Sequence, residues 1–376
     1  MFLRKIIAPI LMACALIASS ASAQEPGSLV SAQPIVDTPA GTQAWRIEYW
    51  TRSEENRPIR ATGMVVAPRE AQPRQPRNVL AWTHGTWGVV ESCAPSASPH
   101  FWRQTPAIDA VARHGLVVVA PDYPGLGSSG QHAYLVGRET ARSVLDAVRA
   151  AGAIAGAYAG GRFAVWGESQ GGHAALWTAA ETRAYAPELT LVGTAAAAPP
   201  TNLIQNLRQA GDENARAFMS ALLAYSWSKR FNAPLDKLFG PLNRGVATGL
   251  AQKCISLDST PKFGTLLGIL SIRNAMRGKD FGRLPVWGDL GRRNSVAVRS
   301  VPGPVLIAQS VDDPLVAPAV TRDFARELCR RRRAVEYIAI PGGDHALSAK
   351  NSADRTIAWI VERFGGARPP NTCGRI

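Results

Sequence analysis

Hydrophobic and polar positions alternate along this chain with two periods, and the period switches repeatedly. Trp45 to Thr51 and Arg60 to Val66 follow the period of two that sets side chains on opposite faces of a strand. Ser53-Glu54-Glu55-Asn56 between them is turn-forming, so the two are predicted to pair antiparallel. Pro68 to Pro76 reads as a loop. Short apolar runs follow at Asn78 to Thr83, Leu116 to Ala120, Phe163 to Trp166, Leu191 to Ala197, Pro304 to Ala308 and Val335 to Ile340, which suits buried strands. Between these runs, helical spacing appears over Arg138 to Ala150, Ser169 to Ala180, Ala319 to Cys329 and Asn351 to Phe364. Strand and helix in alternation predict an α/β fold with a mostly parallel central sheet flanked by helices.

The alternation stops between Pro199-Pro200 and about Val301. Helical patches such as Ala215 to Trp227, with breaks around Gly240 to Gly245, mark an insertion. Residues 201–300 are expected to form a mostly helical cap over a core of residues 24–200 and 301–376, because loops and lids at the ends of parallel strands carry specificity. The plainer alternative is a second domain with no part in the site. Phe218, Met219, Leu222, Leu223, Tyr225 and Trp227 read first as core and second as an acyl-binding wall.

The N-terminus changes the compartment. Arg4 and Lys5 precede an apolar run from Ile6 to Ile17, too short to span a bilayer, that ends in the small residues Ala18 to Ala23. This predicts a signal peptide (residues 1–23) cleaved after Ala23, hence a secreted protein, periplasmic or extracellular. A lipid anchor on Cys14 fits less well, since Met12 suits a lipobox poorly. No later stretch is long and apolar enough for a membrane-spanning segment. The formal charge of +14 becomes +12 when Arg4 and Lys5 are removed. Arginine-rich solvated surface, as at Arg330 to Arg333, is the plain account of that charge. The sharper one is peripheral contact with a lipid or anionic cell-envelope surface. No nucleic-acid-binding module is recognisable.

Cys93, Cys254, Cys329 and Cys373 remain after cleavage, and an even number in an exported chain predicts two disulfides with three pairings open. None forms a Cys-x-x-Cys pair, and the six histidines show no metal-ligand spacing, so no metal is expected.

The chemistry centres on Gly167-Glu168-Ser169-Gln170-Gly171, placed after one predicted strand and opening a helix. A serine at such a turn is held in a strained backbone that presents its hydroxyl, and small neighbours relieve the crowding. A hydroxyl is a weak nucleophile at neutral pH and needs an imidazole base. His345, in the loop after the last strand, has the right chain order, whereas His173 lies on the helix that opens at Ser169 and reads as a packing residue. The third member belongs after the strand Pro304 to Ala308. Asp313 is the expected carboxylate, with Asp312 as the alternative. Oxyanion donors are expected at the N–H of Gln170 and in the turn His84-Gly85-Thr86-Trp87-Gly88, from Thr86 or Trp87. These residues predict a serine esterase or lipase acting on a small-molecule or lipid ester. An exported peptidase or cell-wall esterase would use the same machinery, and a non-catalytic binding protein is the reading from another class.

Several motifs together carry a family likeness: His84-Gly85-Thr86 followed by Cys93-Ala94-Pro95-Ser96, Asp122-Tyr123-Pro124-Gly125-Leu126-Gly127, Gly167 to Gly172, Asp313-Pro314-Leu315-Val316 and Gly343-Asp344-His345. The chain resembles the secretory lipases of fungi and bacteria, the yeast lipase A type. The resemblance covers most of the mature chain and implies an α/β-hydrolase core with a helical cap between the sixth and seventh strands. It further implies hydrolysis of carboxylic esters including acylglycerols, no cofactor, and pairing of Cys93 with Cys254 and of Cys329 with Cys373. One departure is Ser310, where the family usually has glycine; with the neighbouring Asp312 it leaves the choice of carboxylate open.

Overall fold

The computed structural model describes residues 24–70, 72–108, 113–255, 262–342 and 345–376. The predicted signal peptide with Cys14, and the Gly343-Asp344 pair, lie outside the described residues. Nine strands, β1 (Leu29–Ile35), β2 (Thr42–Arg52), β3 (Pro58–Pro68), β4 (Arg77–Thr83), β5 (Val117–Pro121), β6 (Ala159–Glu168), β7 (Thr190–Ala197), β8 (Val305–Ser310) and β9 (Val335–Ile340), form one sheet ordered β1-β2-β3-β5-β4-β6-β7-β8-β9. The β1–β2, β2–β3 and β3–β5 pairs are antiparallel, and every pair from β5–β4 onward is parallel. The helices are α1 (Gly137–Gly152), α2 (Gln170–Tyr185), α3 (Leu203–Gln209), α4 (Glu213–Phe231), α5 (Leu235–Phe239), α6 (Arg244–Ala251), α7 (Phe263–Met276), α8 (Trp287–Asn294), α9 (Pro318–Arg330), α10 (Ser348–Asn351) and α11 (Ala353–Phe364).

The apolar runs of the parallel strands are buried on both faces, and alternate residues enter different layers. Val79 and Ala81 of β4 join Val144, Leu145 and Val148 of α1 with Ala174 and Ala175 of α2. Leu80 and Trp82 face the other way, into a core with Ile357, Trp359, Ile360 and Phe364 of α11. At about 25 cal/mol per Å2 of apolar surface buried, these two sandwiched layers stabilise the sheet from both faces.

Several boundaries differ from the sequence expectation. β1 is an additional strand at the sheet edge, partly exposed and containing Pro34, so no apolar pattern announced it. Because β1 precedes the others, the insertion lies between the seventh and eighth strands rather than the sixth and seventh. β3 extends to Pro68, into the expected loop, and β6 begins at Ala159. The helix expected over Asn351 to Phe364 begins at Ala353 as α11, and the short α10 precedes it, separated by Ser352, whose hydroxyl donates to the Ser348 carbonyl at 2.7 Å.

Helices α3 to α8 fill the segment between β7 and β8 and share their own core. Asp212 starts α4 by accepting the N–H groups of Asn214 and Ala215 at 2.8 and 3.0 Å, and Asn232 ends it with a left-handed φ of 55°. Trp227 stacks on Trp287 with ring centroids 6.4 Å apart, and its indole N–H donates to the Tyr134 carbonyl at 2.9 Å, fastening these helices to the loop before α1. Leu222, Leu223, Tyr225 and Trp227 are thus core residues. Among the described residues, no helix is long and apolar enough to cross a membrane.

Candidate active site

β6 ends at Glu168 and α2 begins at Gln170, so Ser169 occupies the turn itself, with φ 54° and ψ −119°. A non-glycine residue there costs on the order of 1–3 kcal/mol and is held only by its surroundings. The chain folds this tightly because Gly167 and Gly171 lack side chains. A Cβ on Gly171 would stand 1.9 Å from the Thr83 carbonyl oxygen and 2.6 Å from that of His84, both backbone atoms that cannot swing aside. Gly171→Ala is therefore expected to cost about 3 kcal/mol or more, the upper end of overpacking penalties. Denaturant unfolding of the variant tests this, and a wild-type midpoint would contradict it.

The loop after β9 brings His345 to the turn. His345 Nε2 lies 2.9 Å from Ser169 Oγ, and Nδ1 lies 2.8 Å from Asp313 Oδ2. Asp313 is buried after β8. Its Oδ1 accepts the N–H groups of Leu315 and Val316 at 2.9 and 2.8 Å, and its Oδ2 accepts from Gln309 Nε2 at 2.9 Å. Asp312 is exposed and its backbone N–H goes to the Gly342 carbonyl at 3.3 Å, so of the two carboxylates it is Asp313 that meets the imidazole. Such a chain can lower the barrier to removing a hydroxyl proton and hold the resulting imidazolium.

Two links were not legible in the sequence. Glu168 Oε1 accepts the Ala349 N–H at 2.9 Å, tying the turn to α10 just beyond His345. The Gln170 side chain is fixed through His132, whose Nδ1–H donates to the Pro124 carbonyl at 3.0 Å, leaving Nε2 to accept from Gln170 Nε2 at 3.0 Å. Burial pushes the His132 imidazole down to about 3, so it stays neutral and this tautomer persists. The Gln170 N–H opens α2, and the Gly85-Thr86-Trp87 loop passes over the same turn: a Cβ on Gly85 would stand 3.9 Å from Ser169 Cβ. Thr86 Oγ1 lies 2.8 Å from the Tyr134 hydroxyl, and the Trp87 carbonyl accepts the Ile255 N–H at 2.8 Å. His84 is buried, stacked on Tyr123 with centroids 4.2 Å apart, and Asp122 is anchored by the Ser96 N–H at 2.8 Å and the Thr62 hydroxyl at 2.7 Å, so both shape the rim.

His173 points away from Ser169. Its Nε2–H donates to the Asn294 carbonyl at 2.7 Å, and burial pushes the imidazole down to about 4. The native protein refuses a proton that the unfolded chain binds near 6.5, so stability present above pH 6.5 is lost as the pH falls toward 4. Near pH 5 the loss is on the order of 2 kcal/mol. His173→Gln is expected to flatten the decline of melting temperature between pH 6.5 and 5, and an undiminished slope would contradict this origin.

Ser169 stands between two unequal compartments. One, about 70 Å3, is apolar and lined by Leu203, Leu207, Met219, Leu223 and Leu315. The other, about 590 Å3, is bordered by Trp82, Thr86, Trp87, Gln104, Ile255 and His345. Of the residues considered for an acyl wall, Met219 and Leu223 reach the narrow compartment. Cys93 is joined to Cys254, linking the loop after β4 to the end of α6, and Cys329 to Cys373, fixing the C-terminal tail beside α9. The first closes a separation of 161 residues. Replacing both Cys93 and Cys254 by serine is expected to cost about 2–5 kcal/mol, seen as a lower melting temperature. Among the described residues, no group of His, Cys, Asp and Glu is arranged to hold a metal ion.

A mostly parallel sheet with antiparallel strands at its first edge, a serine turn between β6 and α2, and helices inserted before β8 together define the α/β-hydrolase fold. Residues 103–233 match the model of the secretory lipase family. Lipase 10 of Candida albicans is 24% identical over 362 residues, covering 88% of this chain and 74% of that protein. Candida antarctica lipase A in its closed state superimposes with a TM-score of 0.77 at 18% identity, covering 95% of this chain and 86% of that one. The rice cell wall degrading esterase LipA from Xanthomonas oryzae does so with 0.72 at 19%, covering 92% and 100%. Over residues 103–233 the chain is similar to the secretory lipase family, and this likeness supports hydrolase activity.

Proposed function

We propose that this protein is an exported serine esterase of the lipase type that cleaves carboxylic esters through an acyl-enzyme. The observation that carries the reading is the unbroken chain from Ser169 Oγ to His345 Nε2 at 2.9 Å and from His345 Nδ1 to Asp313 Oδ2 at 2.8 Å. His345 Nε2 takes the Ser169 proton as Oγ bonds to the ester carbonyl carbon. The oxyanion is held by the Gln170 N–H and by the N–H of Thr86 or Trp87, and Asp313 stabilises the imidazolium. As the tetrahedral centre collapses, Nε2–H protonates the departing alcohol. Water, deprotonated by the same nitrogen, then attacks the acyl-enzyme, releases the acid and restores the Ser169 hydroxyl.

Because His345 must protonate the alcohol, the alcohol belongs on the side His345 borders, the wide compartment, and the acyl group in the narrow apolar one. Residues 201–300 act as the cap that closes the narrow side, through Leu203, Leu207, Met219 and Leu223. Export through the segment 1–23 agrees with two disulfides, which persist in oxidising compartments. The roomy alcohol side also favours a second reading, an esterase acting on bulky polymer alcohols such as those of a cell wall.

Hydrolysis of p-nitrophenyl esters from acetate to palmitate, with emulsified triglyceride and an acylated polysaccharide alongside, tests the proposal. Ester turnover that vanishes in Ser169→Ala is expected, and the profile separates lipase from short-chain or polymer esterase. Absence of turnover on every ester would contradict it.

A further inference from the structure

The helices between β7 and β8 bury most of their apolar surface, but α7 does not. Thr265, Ile269 and Ile272 face inward, whereas Phe263, Leu266, Leu267 and Leu270 are 75%, 46%, 51% and 38% exposed. Their spacing, i, i+3, i+4 and i+7, puts them on one helical stripe. Leu242, 92% exposed, extends it: its neighbour Asn243 accepts a 2.5 Å hydrogen bond from Ser271 of α7, which brings the turn before α6 against this helix. Singly exposed leucines are ordinary, but a continuous stripe of large apolar side chains on a protein with an otherwise arginine-rich surface calls for a partner.

The charge around the stripe identifies the chemistry of that partner. From Arg244 to Arg277 the chain carries five Lys or Arg and one acid, Asp258, which lies outside the described residues. Lys262 directly precedes the stripe and is exposed, and α7 itself contains no acid. Arg244 has Asp236 at 3.8 Å and Arg273 has Glu213 at 4.0 Å, both long contacts that leave the array net positive. A helix with an apolar stripe and basic flanks lies in the boundary layer of an anionic lipid surface, its leucines among acyl chains and its cations at the headgroups. A second copy of this chain would set two basic arrays against each other. Ile255, which precedes α7 in the chain, borders the wide compartment, and its N–H donates to the Trp87 carbonyl.

We infer that the α7 stripe, with Leu242, is a docking face for an anionic lipid surface. The inference does not depend on the reaction at Ser169, and its test uses the mature Ser169→Ala protein so that no lipid is consumed. In flotation with phosphatidylglycerol or phosphatidylcholine vesicles, binding to phosphatidylglycerol is expected to be roughly tenfold or more the stronger at low salt and to weaken as salt is added. Adding Leu266→Asn and Leu267→Asn is expected to weaken binding to phosphatidylglycerol by about tenfold or more through lost apolar burial. The same two changes in the Ser169 protein should leave hydrolysis of a soluble ester unchanged, which shows that the variant is folded. Equal binding to both vesicles, or binding indifferent to the two asparagines, would overturn the inference. A concentration-dependent dimer abolished by the same changes would assign the face to a second copy instead.

Discussion

Ser169→Ala is expected to lower kcat for a soluble ester about a million-fold while leaving the melting temperature close to that of the wild type. In the proposed mechanism the Oγ is the atom that bonds to the carbonyl carbon, and an alanine methyl can neither attack nor be deprotonated. What remains is water attack on a bound, polarised ester, and the oxyanion donors alone leave a residual acceleration of about 10^3–10^4 over water. The fold should tolerate the change, since alanine meets the same backbone strain at φ 54° that serine already bears. His345→Ala is expected to cost about as much, and the double variant little more, because the two residues act as one unit. Steady-state assays on the three variants test this. Additive losses would mean that serine and histidine serve separate steps.

Asp313→Asn is expected to reduce kcat about 10^4-fold, and Asp312→Asn to leave it within twofold of the wild type. The reason is the orientation forced on the new amide. Two backbone N–H groups, from Leu315 and Val316, point at the position of Oδ1, so the asparagine oxygen must take that place. Its NH2 then faces His345 Nδ1, where Oδ2 now accepts. A donor there requires Nδ1 to be the unprotonated nitrogen, which moves the proton to Nε2 and removes the base from Ser169. Asp312 is exposed, and it is Asp313 whose carboxylate meets the imidazole, so neutralising Asp312 should change little. The reverse ranking of the two variants would move the acid to Asp312 and break the proposed relay.

How much of this was legible depended on the range of the interactions. The turn at Ser169 announces itself locally: an apolar strand, two glycines flanking a serine, and a helix pattern directly after. His345, and an acid in the loop after β8, needed only chain order on a parallel sheet. The choice between Asp313 and Asp312 did not follow from spacing, since one residue of shift is invisible until the Leu315 and Val316 N–H groups are seen converging on one carboxylate. Glu168 reaching Ala349, and His132 fixing the amide of Gln170, join residues 181 and 38 positions apart with no pattern to signal them. β1 escaped because an edge strand needs no apolar alternation. The exposed stripe of α7 has the periodicity of a buried one, and hydrophobic spacing alone does not tell which neighbour a helix face will meet.

The most direct test of the central claim, that Ser169 is the nucleophile, is peptide mapping by mass spectrometry after treatment of the mature protein with a fluorophosphonate. One adduct on Ser169 is the predicted result, absent in Ser169→Ala and formed far more slowly in Asp313→Asn. A protein that hydrolyses esters yet stays unlabelled at Ser169, or carries the adduct on another residue, would contradict the account.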